Sequence, residues 1–273
     1  MPMPLRGSIP AVVALLLSLL PLPTFGHDMW IEPVPGPIEP GDLVRMDVRM
    51  GHGGAVEPVL RNEGRLLRAE GHGPSRTLDL PGLHGAQPMG VLRPDEPGTW
   101  ILAYEGNAAP HRLTPGRFED YMAEEGLEHI AELRRRAGTT ETPGTELYSR
   151  SLKGLVTVGA DAHDGRRPED RRIGLPLELV LERIEGDGHL TLRLYADAPP
   201  RGPLAGSKVD FRRPDGPEPE AWGRTDDDGR IRVRLDPGPW VAATVWMREE
   251  PSEAADWRTV FTTLTFVLPA KVR

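Results

Sequence analysis

The stretch RTDDDGRIRVRLDPGPWVAATVWM, residues 224–247, contains two short strand patterns, each introduced by a turn signal. Residues 231–235 and 240–246 are rich in β-branched and aromatic side chains, and they follow the turns Asp226–Gly229 and Pro237–Pro239. The same reasoning predicts further strands over 177–181, 190–195, 208–212 and 260–267. Strands at these intervals in roughly 100 residues favour an immunoglobulin-like sandwich.

The first half of the chain shows the same strand period with one interruption. Residues 29–32 and 43–50 predict two strands, and 100–104 and 148–158 predict two more. Between them, Thr114 and Pro115 form a helix start, and apolar residues recur at helical spacing over 115–137. Gly126 allows this segment to divide into two short helices.

These patterns predict a mainly β fold with two immunoglobulin-like sandwiches in series and a short helical insertion at 115–137. The chain contains 31 glycines and 30 prolines, which interrupt helices and favour many short strands joined by turns. We expect a first domain over 27–160 and a second over 172–273. The polar segment 161–172 is interpreted as the linker between them.

The N-terminal 26 residues have the pattern of a cleavable secretory signal. Arg6 precedes the apolar run 11–20, which is shorter than the roughly 20 residues needed to span a bilayer. Small residues at Thr24 and Gly26 suit a signal-peptidase site before His27. An uncleaved anchor is the alternative. We therefore expect a periplasmic or secreted protein with no transmembrane segment in the mature chain.

Composition excludes several classes of function. The chain has no cysteine, so disulfides, thiolate metal sites and cysteine nucleophiles are absent. The formal net charge is −8 and no basic stripe is present, which argues against nucleic acid as a partner. We find no nucleophile elbow, phosphate loop or dinucleotide fingerprint, and the chain is predicted not to be an enzyme.

His27 is the strongest candidate metal ligand. Cleavage after Gly26 would free its α-amino group beside its own imidazole, so that two nitrogens could close a chelate ring on one ion. Asp28 adds a backbone amide and a carboxylate close by. Such nitrogen-rich sets suit Cu(II) or Ni(II). The competing interpretation is that HDMWIEP simply begins the first strand.

His52 is the second candidate ligand. If strands 29–33 and 43–50 pair as an antiparallel hairpin centred near residue 39, position 27 lies opposite position 51, within a residue or two. His52 would then supply a third nitrogen, and the glycines of GHGG would permit close backbone approach. The alternative is that GHGG is a flexible loop. The expected cofactor is thus a divalent transition metal (Ni, Co or Cu) held by His27 and His52.

Other candidate sites are weaker. His72, His84 and His111 lie in loops of the first half and could reach the same end, whereas His129 and His189 are predicted to be solvated. The cluster Asp161, His163 and Asp164 is interpreted as part of a solvated linker. Asp226–Gly229 resembles the start of a calcium loop but lacks the Glu at its twelfth position, which favours an Asp-Gly hairpin turn.

Several stretches in conserved order resemble an exported bacterial family called domain of unknown function 4198, often labelled nickel-uptake-like. They are GHDMWIEP (26–33), RMGHGG (49–54), GRFEDYMAEEGLEHI (116–130), ELYSRSLKGLVTVG (146–159), GLPLELV (174–180), residues 224–247 and ADWRTVFTTLTF (255–266). The resemblance implies an exported protein related to metal-transporter components. One departure is Trp246 before Met247, where the family pattern has His.

The second half alone, PLAGSKVDF followed by TDDDGRIRVRLDPGPW, is similar to a carboxypeptidase-regulatory or transthyretin-type sandwich. That resemblance implies an accessory module for residues 172–273. The leading functional hypothesis is a periplasmic transition-metal-binding protein that supplies nickel, cobalt or copper to a metal-uptake membrane complex. The main alternative is a non-catalytic envelope module that binds protein or glycan without metal. A copper enzyme with His27 in a histidine brace is a third hypothesis.

Overall fold

The computed structural model describes residues 28–52, 55–159, 170–199 and 201–270, and it is mainly β, as predicted. Its strands are β1 Asp28–Ile31, β2 Val44–Met46, β3 Val48–His52, β4 Ala55–Val59, β5 Leu66–His72, β6 Thr77–Asp79, β7 Gly90–Leu92, β8 Gly98–Gly106, β9 Ala109–Leu113, β10 Gly144–Val158, β11 Leu177–Ile184, β12 His189–Ala196, β13 Gly202–Pro203, β14 Lys208–Arg212, β15 Ala221–Arg224, β16 Arg230–Arg234, β17 Gly238–Glu249 and β18 Trp257–Leu268. The helices are α1 Pro115–Glu124 and α2 Glu128–Ala137.

The helical insertion occurs where Pro115 and the apolar spacing predicted it, and it divides at Gly126. Gly126 has a φ of 69°, a conformation that ends α1 at little steric cost only for glycine. Gly138 ends α2 in the same left-handed conformation. Phe118, Tyr121 and Met122 of α1 are buried against the sheet, so the insertion packs as a lid of two short helices over one part of it.

One nine-stranded sheet extends through both halves of the chain. Its order is β15-β14-β17-β18-β10-β8-β5-β6, with β9 also paired to β10. The strands β10 and β18 come from different halves and run parallel, with Ser149 opposite Val260 and Gly154 opposite Thr265. The boundary predicted near 160–172 stays a prediction, and residues 160–169 lie outside the described part. The continuous sheet is a feature that the strand pattern did not anticipate.

The two faces of this sheet are covered by different layers. On one face, Leu264 and Phe266 of β18 pack with apolar residues of β11, β12 and β16. On the opposite face, Leu152 and Val156 of β10 pack with β1, β2 and β7. Further along that opposite face, α1 and α2 cover Val245, Met247 and Trp257. Successive residues of β10 and β18 therefore alternate between two separate cores.

The segment after the predicted linker is anchored by buried charges. Lys153 of β10 is fully buried, and its Nζ lies 2.8 Å from an Asp170 carboxylate oxygen and 3.0 Å from one of Glu178. The carbonyls of Arg171 and Leu179 accept from the same Nζ at 3.0 and 3.1 Å. Within the segment 161–172 interpreted as a linker, the Asp170 side chain is therefore buried beside Lys153, whereas Arg171 and Arg172 are exposed.

Two local expectations are corrected. The turn at Asp226–Gly229 is not a hairpin, because β15 pairs with β14 whereas β16 pairs with β12 in another sheet. Strands β1 and β3 form an antiparallel pair with Asp28 opposite Gly51, within the residue or two that the prediction allowed, but the predicted strand 43–50 divides into β2, which pairs with β7, and β3. Within the described ranges, neither helix approaches the length and apolarity that a membrane span requires.

Candidate functional site

A gap between two covering layers exposes part of the central sheet. Strand β1 covers one end of this face, where the Met29 carbonyl accepts from Thr263 Oγ1 at 2.9 Å and Ile31 packs on Gly154. Helix α1 covers the other end. Between them, Tyr148, Arg150 and Phe261 are only half-buried although they lie on the central strands β10 and β18. We call these three residues and the space above them the gap.

Aromatic rings surround the guanidinium of Arg150 in the gap. Arg150 lies over the Phe261 ring, 4.7 Å from its centroid, and 5.8 Å from that of Tyr148. Phe261 also meets Tyr148 edge-on at 6.2 Å and stacks with Tyr121 of α1 at 6.3 Å. Burial raises the pKa of Tyr121 well above its usual value and raises that of Tyr104, while the charge of Arg150 opposes both shifts. Both phenols therefore stay protonated and able to donate.

His111 brings an imidazole to the gap from β9. Its ring meets Tyr148 edge-on at 6.0 Å, and its Nδ1 lies 3.1 Å from a buried carboxylate oxygen of Glu146. Thr259 also donates to Glu146, and Tyr121 does so at 3.5 Å. A carboxylate behind one ring nitrogen fixes the orientation of an imidazole, which is the arrangement that metal-binding histidines commonly have.

A second group of charges lies where β1 begins. Asp28 pairs with Arg212 of β14 at 2.9 Å, and Lys208 pairs with Asp210 at 2.8 Å. Glu125, at the end of α1, faces this group. Its partial burial, together with the negative charges of Asp28 and Asp210, raises its pKa to about 8. The start of β1 thus has more carboxylates than its neighbouring cations fully balance.

The two predicted metal ligands lie at the limit of what the structure describes. His27 is outside the described residues, and of His52 only the backbone, as the last residue of β3, is described. The described neighbours of both are Asp28 and Gly51, which face each other across the β1–β3 ladder. Gly51 is tightly enclosed there, since a Cβ would lie 2.4 Å from the Ala55 carbonyl. The joint site of His27 and His52 stays a prediction.

The other histidines lie in separate places. His72 Nε2 is 2.9 Å from Glu70, and burial lowers the pKa of this imidazole. His84 Nδ1 accepts from the Glu63 amide at 3.3 Å, and His129 Nε2 lies 3.1 Å from the Met247 carbonyl. His189 is hydrogen-bonded to Asp187 at 2.8 Å in the β11–β12 turn. His163, Asp161 and Asp164 lie outside the described residues.

One described group has ligand atoms close enough to share a metal ion. Glu185, Asp187 and His189 of the β11–β12 turn offer ligand atoms within 4.8 Å of one another. Glu185 is already held by Arg232 through two hydrogen bonds of 3.1 and 2.8 Å, and the hydrogen bonds from Arg232 lower the pKa of its carboxyl. This turn belongs to the sheet of β11, β12 and β16, which covers the face of the central sheet opposite to the gap.

Sequence reasoning missed Arg150 and Tyr148, which define the gap with Phe261, and Glu146, which is buried beside His111. A signal was present, because the alternation in ELYSRSLKG puts Glu146, Tyr148 and Arg150 on one face of a strand. An arginine between aromatic and apolar positions on a buried strand is unusual, and that pattern singles the residue out. What no pattern could give is the parallel partner strand that supplies Phe261.

Comparison with known proteins adds a family without a function. The family model described as domain of unknown function (DUF4198) matches residues 24–248. No curated protein and no solved structure matches the chain. The matched range contains β1, the helical insertion and β10, and it ends near the end of β17.

Proposed function

The chain belongs to the DUF4198 family, and from that premise and the geometry of the gap we propose that it is an exported transition-metal-binding protein. In this proposal residues 1–26 are a signal peptide, and the mature protein begins at His27 in the periplasm or outside the cell. The α-amine and imidazole of His27 bind a divalent ion, Ni, Co or Cu, with His52 as third ligand. The role is binding and delivery to a metal-uptake membrane complex, without catalysis.

The direction and register of β1 support this site. Asp28 is opposite Gly51, so a ladder extended by one pair would bring 27 and 52 face to face. Ile31 lies against Gly154, and Met29 lies against Thr263, the neighbour of Leu152. Each step of two residues toward the start of β1 thus moves two residues back along β10 and β18. The next such step leads from Met29 to position 27 and toward Arg150 and Phe261. His27 at the edge of the gap would meet the imidazole of His111. The carboxylate of Asp28 would add a favourable field for a cation, and Glu125 would add to it above its pKa of about 8.

The experiment compares the mature chain with a chain that carries one additional Ala before His27. The extension moves the free amine off the chelate and leaves every side chain in place. We expect nickel or copper affinity, measured by calorimetric titration, to fall by at least about tenfold with the extension and with His52→Ala. Because the nitrogens must lose protons to ligate, affinity should also fall as pH drops through about 6.5.

His84→Ala is the matched control, because His84 is exposed and lies away from the gap. It should leave metal affinity unchanged. Equal affinity of the extended and mature chains would defeat the terminal chelate. Loss of the metal in His189→Ala instead would assign it to the β11–β12 turn.

We also propose the finer fold assignment, two immunoglobulin-like or transthyretin-like sandwiches that share their central sheet. The layering of β11, β12 and β16 over β14, β17 and β18 around one apolar core supports it for the second half. In the first half, β1, β2 and β7 cover β5, β8 and β10 around the second core. An experimental structure with strand connectivity of another type would contradict it.

A second candidate function, an envelope module that binds a protein or glycan, has one observation in its favour. A groove of about 500 Å³ lies between the start of α2 and the end of β17, lined in part by Leu133, Trp246, Met247 and Arg224. Metal content of the mature protein purified from its exporting host separates the two functions. A stoichiometric transition metal favours the first, and metal-free protein favours the second.

A further inference from the structure

Arg150 differs from every other described arginine that lies over an aromatic ring. Six others do so, and each has a carboxylate beside it. The pairs are Arg134 with Glu119, Arg172 with Asp197, Arg193 with Glu182, Arg212 with Asp28, Arg213 with Glu220 and Arg248 with Glu250. In the described part of the chain, no carboxylate pairs with Arg150, whose recorded neighbours are the Tyr148 and Phe261 rings.

This isolation is costly in the position that Arg150 occupies. The residue is half-buried on a central strand, and its charge is partly removed from water by two aromatic side chains, Tyr148 and Phe261. A cation–π contact returns only about 0.5–2 kcal/mol. A buried charge is normally paired, because desolvation without a counter-ion is unfavourable. The guanidinium is thus held in place with its hydrogen-bonding fork unused by any carboxylate of the described chain.

We propose that Arg150 binds the carboxylate of a small organic ligand that enters the gap. A planar guanidinium donates two parallel hydrogen bonds to a carboxylate or a phosphate, and the aromatic rings beside Arg150 favour an anion that is carried on an apolar body. The Tyr104 and Tyr121 hydroxyls lie within the field of Arg150 and stay protonated. The ring of Phe261 provides an apolar floor for the body of the ligand. The ligand class is a carboxylate carried on a flat apolar body.

The same carboxylate could arrive alone or as a ligand of a metal ion. The metal-bound source rests on the proposed function, because it requires an ion at the His27 end of the gap. There the negative charge of the carboxylate would balance part of the positive charge of both the metal ion and Arg150. The Arg150 site itself does not require metal.

The test uses benzoate as probe and benzamide as its neutral isostere, each titrated calorimetrically into the mature chain, metal-free and nickel-loaded. We expect benzoate to bind about 10–100-fold more tightly than benzamide, and Arg150→Gln to remove that difference. Arg150→Lys keeps the charge but not the planar, two-pronged donor group, so it should keep only part of the preference for benzoate over benzamide. Circular dichroism and thermal melting confirm that each variant folds.

Arg193→Gln is the matched control. Arg193 lies 5.2 Å over Tyr195, two residues along its own strand as Arg150 and Tyr148 are, but it has Glu182 at 3.7 Å. It should leave benzoate binding unchanged. Benzoate selectivity in the metal-free chain supports a free carboxylate, and selectivity only with nickel supports the metal-bound source.

Benzoate binding that is the same in wild type and Arg150→Gln overturns the proposal, as does no binding in either state up to about 10 mM. Inorganic phosphate binding more tightly than benzoate would overturn the ligand class. Benzoate bound by a chain that takes up no nickel, cobalt or copper would leave Arg150 assigned and reject the metal function, so the two failures can be told apart.

Discussion

Lys153 and Arg150 are three residues apart on β10, and they differ in that Lys153 is paired with carboxylates whereas no described carboxylate pairs with Arg150. Lys153 faces the core shared with β11 and β12, where two carboxylates and two carbonyls surround its Nζ within 3.1 Å. Arg150 faces the opposite side, where aromatic rings hold it and no described carboxylate meets it. A strand with period two can therefore present one charge to each core.

The difference separates structural from ligand-binding charge. Around Lys153, Glu178 also accepts the backbone amides of Ile173 and Gly174, and Asp170 accepts that of Leu181 at 2.8 Å. Burial raises the pKa of Asp170, and Lys153 opposes that shift. Every partner is supplied by the chain itself, which ties the segment after residue 169 to the sheet. Around Arg150 the chain supplies the rings and leaves the anion to be supplied from outside.

The largest expected effect on stability is at Lys153, whose charge is fully paired. Lys153→Met leaves Asp170 and Glu178 buried without their cation, so the free energy of unfolding should fall by about 3–5 kcal/mol. Urea denaturation at neutral pH measures this. The control is Lys208→Met, since Lys208 pairs with Asp210 where both are partly exposed, and its cost should stay below about 1 kcal/mol. Similar costs for both lysines would remove the contrast on which the comparison depends.

A smaller, pH-dependent effect is expected at Glu125. Its pKa of about 8 lies above the usual 4.5, so the folded state binds the proton more tightly than the unfolded state. Stability from this source is complete below about 4.5 and is lost as pH rises through about 8. Glu125→Gln has no proton to lose. It should gain about 1–3 kcal/mol relative to wild type between pH 4.5 and pH 9, allowing for partial screening.

Thermal melts at a series of pH values check this prediction. The neighbouring Glu124 is exposed, so Glu124→Gln should show no such pH-dependent gain in stability. A flat difference between Glu125→Gln and wild type would mean that neither burial nor the charges of Asp28 and Asp210 raise the pKa of this carboxyl.

The smallest stability effect is expected at the unpaired cation. Arg150→Gln removes cation–π contacts with Phe261 and Tyr148 but breaks no ion pair, so unfolding free energy should change by less than about 1 kcal/mol. Urea denaturation alongside Lys153→Met gives the comparison directly. A loss as large as that of Lys153 would make Arg150 a structural residue and weaken the case for a ligand.

The mainly β class and most of the elements followed from the sequence because their causes are local. Strands β10, β11, β12, β14 and β16–β18 occur where alternation and turn signals predicted them, and the helices occur where Pro115, Gly126 and Gly138 set their limits. The antiparallel pairing of β1 with β3 was posited as a hairpin, and the observed register of Asp28 opposite Gly51 lies within the residue or two that the prediction allowed. The prediction did not anticipate that the segment 43–50 divides, with β2 pairing instead with β7.

The candidate site was accessible in part only. The sequence pointed to His27 because signal-peptide cleavage would free its α-amine beside its imidazole, which requires no fold, and to His52 because a hairpin would place it nearby. It did not identify the group of Asp28, Glu125, Asp210 and Arg212, whose members come from three separate stretches, β1, the end of α1 and β14. The Glu146–His111 pair likewise depends on β9 returning alongside β10.

By itself, the sequence determined the strand and helix segments, the absence of cysteine chemistry and the alternation that sets Arg150 and Lys153 on opposite faces of β10. Only the tertiary structure decided what each face meets. The parallel pairing of β10 with β18 joins residues more than 100 positions apart, and it brings Phe261 to Arg150. Which distant strands come together depends on the packing of whole layers, and a period of two carries no information about a partner strand.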